Sequence, residues 1–212
     1  MISFLIILVF VSAFSYGFGI NALIPVLIAV GIAALLDLLI GYFKSKTWAF
    51  PQSAMITGLL IGGLLSQKMP WYIYFIAPAA AILSKHLIRF NNRHIFNPAN
   101  FGILIVALAF GAIHSWWIAS PVILVLIFGV FIIWRLRRLD LALSFLISYF
   151  ALASIIGLFQ GAQIIDAYYS IINGGIIFFF SMYMIIEPKT NPFGKKTKNC
   201  LWRFGCYIVC NF

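Results

Sequence analysis

Long apolar runs, separated by short polar stretches, constrain this chain more than any other feature. Only 8% of the residues are charged, against about 25% in an average globular protein, and the mean hydropathy is +1.10. Such a chain lacks the polar exterior that a water-soluble fold needs. The sequence therefore predicts an all-α polytopic membrane protein with about eight transmembrane helices in the lipid bilayer. Their approximate bounds are 2–18, 22–43, 51–66, 71–90, 98–113, 116–134, 139–160 and 169–187.

The formal net charge of +10, from 14 Lys and Arg against 4 Asp and Glu, indicates topology. No basic tract is interleaved with polar recognition residues, so nucleic acid is not expected as a partner. If Met1 lies in the cytoplasm, twelve of the fourteen basic residues fall on the cytoplasmic side, as the positive-inside rule requires. We expect a multi-pass protein of the cell (inner or plasma) membrane with both termini cytoplasmic.

The eight spans leave no room for a soluble domain, so residues 1–198 are interpreted as a single transmembrane helical domain. The first run has no basic region before it and is expected to be a retained span, not a cleaved signal peptide. Residues 199–212 differ in composition from the rest and contain all three cysteines. We interpret this stretch as an atypical C-terminal tail and suspect a truncated or frame-disrupted C-terminus.

Two of the predicted spans, 51–66 and 98–113, are only 16 residues long. At about 1.5 Å per residue such a helix reaches about 24 Å, short of a hydrocarbon core of about 30 Å. Each span opens with a proline, Pro51 or Pro98, and Asn97 is a good N-cap for the second. The pair predicts half-helices of an internal, inverted repeat whose N-termini point at a bound ligand. Two ordinary, well-capped short helices are the open alternative.

Asp37 is the deepest of the four acidic residues, within the second span. A carboxylate at membrane depth is unfavourable and usually faces a cavity or a charged partner. One interpretation is an ion pathway or proton relay. The other, which we favour, is a structural ion pair with Lys85 or Arg89 of the fourth span.

The remaining polar residues exclude several classes of chemistry. The histidines, His86, His94 and His114, lie near no cysteine or paired carboxylate at ligand spacing, so no metal site is expected. We expect His86 and His94 to make interfacial hydrogen bonds instead. Nucleotide-binding loops, zinc-protease motifs and serine-hydrolase motifs are also missing from the sequence. Hydrolysis or nucleotide chemistry of the soluble type is therefore unsupported.

Three segments, taken together and in this order, suggest a family. They are 53–60 (SAMITGLL), 85–102 with its Phe-Asn-Pro-Ala stretch, and 187–192 (EPKTNP). On these segments the chain resembles the NqrB/RnfD family, over about residues 30–198. Members of that family are the flavin-carrying membrane subunits of the sodium-translocating NADH:quinone reductase and of the Rnf ferredoxin:NAD complex.

The resemblance implies a helical bundle with two inverted-looking halves, working inside a larger complex that passes electrons through flavins while moving sodium ions or protons. A flavin phosphate is an anion, for which helix N-termini and basic side chains are suitable binding groups. By resemblance, one group of residues lines the flavin centre and a second closes its cytoplasmic side. The first group is Ser53, Thr57, Asn97, Pro98 and Asn100, and the second is Glu187, Lys189 and Thr190.

Two departures from the family pattern shape the functional hypothesis. The family usually attaches its flavin to the Thr of a Ser-Gly-Ala-Thr motif, whereas residues 160–166 here contain no Thr, and the chain ends soon after the third segment. We therefore expect flavin (FMN or riboflavin) to be held noncovalently. The leading hypothesis is an integral membrane subunit of an ion-coupled electron transport complex, with catalysis by the chain alone left open. The alternatives are a small-solute channel or transporter, and a non-redox structural paralogue.

Overall fold

The computed structural model describes residues 1–46, 48, 50–90, 93–160 and 175–186. Their fold is helical apart from two short antiparallel pairings. Strands β1 and β2 join Arg89 to His94 and Phe90 to Arg93, and an isolated bridge joins Leu65 to His114. The helices are α1 (Ile2–Ser15), α2 (Leu23–Ser45), α3 (Gln52–Leu64), α4 (Ile73–Leu87), α5 (Pro98–Phe110), α6 (Val122–Leu136), α7 (Leu139–Gln160) and α8 (Ile176–Phe179, continued by a π-helical turn over Phe180–Met184). The strands are Arg89–Phe90 and Arg93–His94, and short 3₁₀ turns cover Ile20–Ala22 and Trp117–Ala119.

The helices confirm the predicted all-α class, and each lies within or close to one predicted apolar run. By length and composition, the stretch Ile20–Lys44, of 25 residues, passes as a membrane-crossing helix. The other long apolar helices of the described residues are shorter. The number of transmembrane spans therefore stays a prediction.

The exterior of the described helices is rich in large apolar side chains. Leu27 is 69% exposed, Leu108 76% and Ile123 75%. In water such a surface would be unfavourable, but against lipid tails it carries no penalty. This surface is what the composition predicts for a helical membrane protein.

The chain divides into two compact units, Met1–Phe128 and Gly129–Phe212. In the second unit, Gly129 of α6 faces Met182 in the turn that continues α8, and the rings of Phe145 and Phe180 are 5.5 Å apart. The predicted single domain over 1–198 stays a prediction. The tail 199–212 lies outside the described residues.

The first unit holds the predicted site. Gly58 and Gly62 of α3 pack against Val30 and Val26 of α2, in reverse order along the chain, so α2 and α3 are antiparallel. Gly102 of α5 packs against Ala77 and Ala81 of α4. The unit therefore contains two neighbouring helix pairs, α2 with α3 and α4 with α5.

Candidate functional site

The contact between α2 and α3 is made through small residues. Gly58 and Gly62 are four apart and so lie on one face of α3. A Cβ atom at Gly58 would lie 2.5 Å from the Cα of Val30 and 2.8 Å from the carbonyl oxygen of Ala29. The backbones of the two helices thus touch, as they do at small-residue interfaces in membranes.

The contact between α4 and α5 is equally close at one glycine. A Cβ atom at Gly102 would overlap the carbonyl oxygen of Ala77 and approach the Cβ of Ala81 to 3.0 Å. Gly58 and Gly102, which follow the two prolines in sequence, therefore have the same packing role on their respective partner helices. Their similarity was visible in the sequence, but their role as backbone contacts was not.

The C-terminal ends of α3 and α5 meet. Leu64 O accepts hydrogen bonds from the N–H groups of Ser115 (2.9 Å) and Trp116 (3.2 Å), and Ile113 O accepts one from Ser66 N–H (2.9 Å). The buried Trp117 donates its Nε1–H to Gly62 O at 3.1 Å. Because their C-terminal ends are joined, α3 and α5 run in the same direction, and their N-termini lie at the opposite end of the unit. The predicted inverted repeat stays a prediction.

We call that opposite end, at which α2 and α4 finish and α3 and α5 begin, the charged end. It contains the ion pair of Asp37 with Lys85, in which Nζ lies 2.7 Å from Oδ1, and His86, whose Nε2 lies 2.8 Å from the same oxygen. The side chains of Lys85 and Asp37 are only 7% and 14% exposed. The predicted structural pair of Asp37 with Lys85 is confirmed, whereas the ion-pathway role stays a prediction.

Two more basic residues surround this pair without touching its carboxylate in the described contacts. Lys44 donates from Nζ to His86 O at 3.4 Å, and Arg89 donates from Nε to Lys85 O. Arg89 was the alternative predicted partner of Asp37, and it bonds to this carbonyl instead. His86 was not predicted as a partner of Asp37, although its position next to Lys85 puts it on the same end of α4.

The N-terminus of α5 is closed by its own residues. Asn97 is the N-cap, as predicted, and its Oδ1 accepts from the N–H groups of Ala99 (3.0 Å) and Asn100 (3.4 Å). Pro98 has no N–H, and Phe101 N–H donates to Asn97 O at 3.0 Å. The first turn of α5 therefore has no backbone donor left for an anion.

The N-terminus of α3 is different. Its N-cap is Pro51, and no side chain of the described residues caps it. The N–H groups of Ser53 and Ala54 in its first turn are thus left without a capping acceptor there. Thr57, only 5% exposed, donates its hydroxyl to Ser53 O at 3.0 Å.

The start of α3 lies beside the helices that carry the ion pair. Ala54 packs with Ala33 of α2 and Ile82 of α4 in one buried cluster, with Leu36 and Ile40 against it. Ala33 precedes Asp37 by one helical turn, and Ile82 precedes Lys85 by about one turn. The uncapped first turn of α3 is therefore close to the charged end's only described carboxylate.

Part of the predicted site is not described by the structure. Glu187, Lys189 and Thr190, and the stretch 161–166, lie outside the described residues. In the part of the chain that the structure describes, no group of three His, Cys, Asp or Glu is placed to hold a metal ion.

The first unit is therefore a bundle of close-packed apolar helices. The two helices that begin at or just after a proline meet at their C-terminal ends. This architecture is typical of a helical membrane subunit. The model of the NQR2, RnfD, RnfE family matches residues 1–122, more than half of the chain. The chain belongs to this family, which confirms the resemblance seen in the sequence.

Several curated relatives are named as one and the same subunit of the ion-translocating oxidoreductase complex. The protein of Buchnera aphidicola subsp. Acyrthosiphon pisum (strain 5A) is 29% identical over 106 residues, which is 48% of this chain and 30% of that protein. The protein of Yersinia enterocolitica is 30% identical over 112 residues, or 51% and 32% of the two chains. That of Shewanella sediminis is 29% identical over 117 residues, or 53% and 33%. The match thus spans about a third of the length of these relatives.

Proposed function

We propose that this chain is an integral membrane subunit of an ion-coupled electron transport complex of the RnfD/NqrB type. The observation that carries the proposal is the family match over residues 1–122, which includes all four helices of the two close-packed pairs. The name of the relatives supports other subunits of an oxidoreductase complex as partners.

A location in the cell membrane, with several crossings and both termini cytoplasmic, is part of the proposal. In support of it, Lys44 of α2 and Lys85 of α4 lie at the same end of the unit, and Arg89 follows there. Basic residues collected at one end of a bundle favour the cytoplasmic side for that end.

We propose that the chain holds a flavin, FMN or riboflavin, noncovalently. A bound flavin would supply the ability to accept and pass on electrons, and the chain's residues would bind and orient it. Of the two predicted helix N-termini, α3 fits an anionic or carbonyl oxygen because no side chain among the described residues caps the N–H of Ser53. Asn97 already occupies the backbone donors in the first turn of α5, so Asn97, Pro98 and Asn100 are proposed to line the site through their side chains. Glu187, Lys189 and Thr190 remain proposed members of the site.

The flavin proposal is tested by the visible absorption spectrum of the detergent-purified protein, before and after acid precipitation. Yellow colour in the supernatant would support noncovalent flavin. Colour in the pellet would contradict the noncovalent mode, and a colourless protein from a flavin-sufficient host would contradict flavin binding.

A matched pair of variants tests the role of the α3 N-terminus. Ser53→Pro removes the backbone N–H at a position where proline is tolerated, whereas Ser53→Ala removes only the hydroxyl. We expect Ser53→Pro to weaken FMN binding about tenfold and Ser53→Ala to leave it within about twofold, as expected for loss of one charge-assisted hydrogen bond. Equal effects would contradict a backbone contact.

The complex itself is tested by purifying the tagged chain from the membranes in which it is naturally made. Co-purification of other oxidoreductase subunits, identified by mass spectrometry, would support the proposal. If those subunits co-purify but the chain holds no flavin, it is a structural paralogue. A chain that purifies alone and takes up small polar solutes in vesicles would be the transporter of the alternative hypothesis.

A further inference from the structure

We propose that His86 binds a proton on Nδ1 and that Asp37 holds the imidazole ring in the orientation this requires. The pair would form a proton-binding site at the charged end of α2 and α4. This inference goes beyond the proposed function, because it needs neither a flavin nor a partner subunit.

The orientation of the imidazole ring follows from the chemistry of Asp37. An ionised carboxylate only accepts hydrogen bonds, and Lys85 donating at 2.7 Å to Oδ1 keeps it ionised. The Nε2 of His86, 2.8 Å from the same oxygen, must therefore carry the hydrogen. In the neutral ring, Nδ1 is then the nitrogen with the free electron pair.

The Nδ1 atom is buried and has no hydrogen-bond partner among the residues that the structure describes. An imidazole with one nitrogen fixed by a carboxylate and the other nitrogen open is the arrangement in which histidine accepts protons in catalytic triads. The side chain as a whole retains about a tenth of its surface exposed, so the ring lies close to the surface of the unit, and a proton reaches the buried Nδ1 from there.

Because the other charges near His86 are positive, protonation of His86 depends on Asp37. Lys44 of α2, Lys85 of α4 and Arg89 after α4 all oppose a further positive charge, and His94 lies on the paired strand. The helices α3 and α5 carry no charged side chain. What favours the imidazolium is the Asp37 carboxylate, together with the C-terminal end of α4, whose last turn contains His86.

Protonation changes the contact between α2 and α4. In the neutral state of His86, the carboxylate of Asp37 balances one cation, Lys85. In the protonated state two cations of α4 share the single carboxylate of α2. The site therefore couples the proton concentration at this end of the bundle to the attraction between two of its helices.

Nitrogen-15 NMR of the full chain in lipid bilayers, labelled on the histidine rings, tests the proposal. The chain has three histidines, so the variants His94→Gln and His114→Gln assign the signals. We expect His86 to carry hydrogen on Nε2 alone at about pH 8 and on both nitrogens at about pH 5. In Asp37→Asn, the protonated fraction at about pH 6 should fall at least threefold, and Nε2–H should no longer dominate.

The titration of the wild-type protein is the primary test of the proposal, because it does not depend on how a variant folds. A ring that carries its hydrogen on Nδ1 at high pH, or one that gains no proton by about pH 5, would overturn the proposal. Asp140→Asn, which removes a carboxylate that is not among the described partners of His86, is the matched control and should leave the His86 signals unchanged. None of these outcomes bears on co-purification or flavin content, so the proposed function is judged separately.

Discussion

Replacing Gly58 by alanine should destabilise the contact between α2 and α3. The added Cβ would lie 2.5 Å from Val30 Cα and 2.8 Å from both Ala29 O and Val30 N. All three atoms belong to the backbone of α2, which cannot rotate away as a side chain can. The two helices must therefore separate at this point.

The distance by which the helices must separate sets the expected loss of stability. Nonbonded carbon atoms prefer a separation of about 3.5–4.0 Å, so the helices must move apart by about 1 Å. A gap of this size removes about a quarter to a half of the van der Waals attraction of each contact that it opens. Overpacking of this kind destabilises proteins by about 1–3 kcal/mol. We expect about 2 kcal/mol for Gly58→Ala. Gly58→Ala with Gly62→Ala should be less than additive, because one separation accommodates both methyl groups.

The matched control is Gly31→Ala on α2, where a Cβ would meet nothing within 4 Å. Both changes exchange glycine for alanine within a helix, so the difference between them isolates the close approach. The assay is unfolding in detergent, followed by circular dichroism as denaturant is added. If Gly58→Ala is as stable as Gly31→Ala, α2 and α3 do not touch at their backbones and the reasoning fails.

Three further predictions concern single contacts in the same unit, each read as the free energy of unfolding in the same assay. Asn97→Ala should destabilise by about 1 kcal/mol through loss of the α5 cap, while Asn97→Asp should not; equal losses would contradict the cap. Asp37→Asn should cost about 3 kcal/mol by leaving the buried Lys85 without its carboxylate, and adding Lys85→Met should recover part of it; no recovery would argue against the pair. Trp117→Phe should cost about 1–2 kcal/mol through the lost bond to Gly62 O, whereas Trp71→Phe, at a 69% exposed position, should cost almost nothing.

Local features of the fold were predictable from the sequence because their causes are local. Apolar runs set the bounds of α1 to α5 and of α7 to within about three residues, whereas α6 begins six residues after its predicted start, and the Asn97-Pro98 pair fixed both the start of α5 and its cap. The acid in the second span required a cation, and few cations were available at the right depth, so Lys85 could be named as one of two candidate partners.

Contacts between helices were harder to predict, since they depend on which faces meet. The Gly58–Gly62 spacing is the signal in the sequence that indicates the close pair of α2 and α3. His86 was assigned to interfacial hydrogen bonding in general, because sequence alone does not show that the end of α4 lies beside Asp37. The bond from Trp117 to Gly62 O joins residues 55 apart and had no sequence signal.

The two proline-opened helices look alike in sequence, yet their N-termini differ in what they can bind. Asn97 supplies an acceptor that fills the donors of α5, while Pro51 supplies none for α3. A cap stabilises a helix by using up the partial positive charge that an anion would otherwise meet. The better capped helix is therefore the poorer anion site. Because the open first turn of α3 also lies beside the helix turns leading to Asp37 and Lys85, ligand binding at α3 and proton binding at His86 would act on the same end of the bundle.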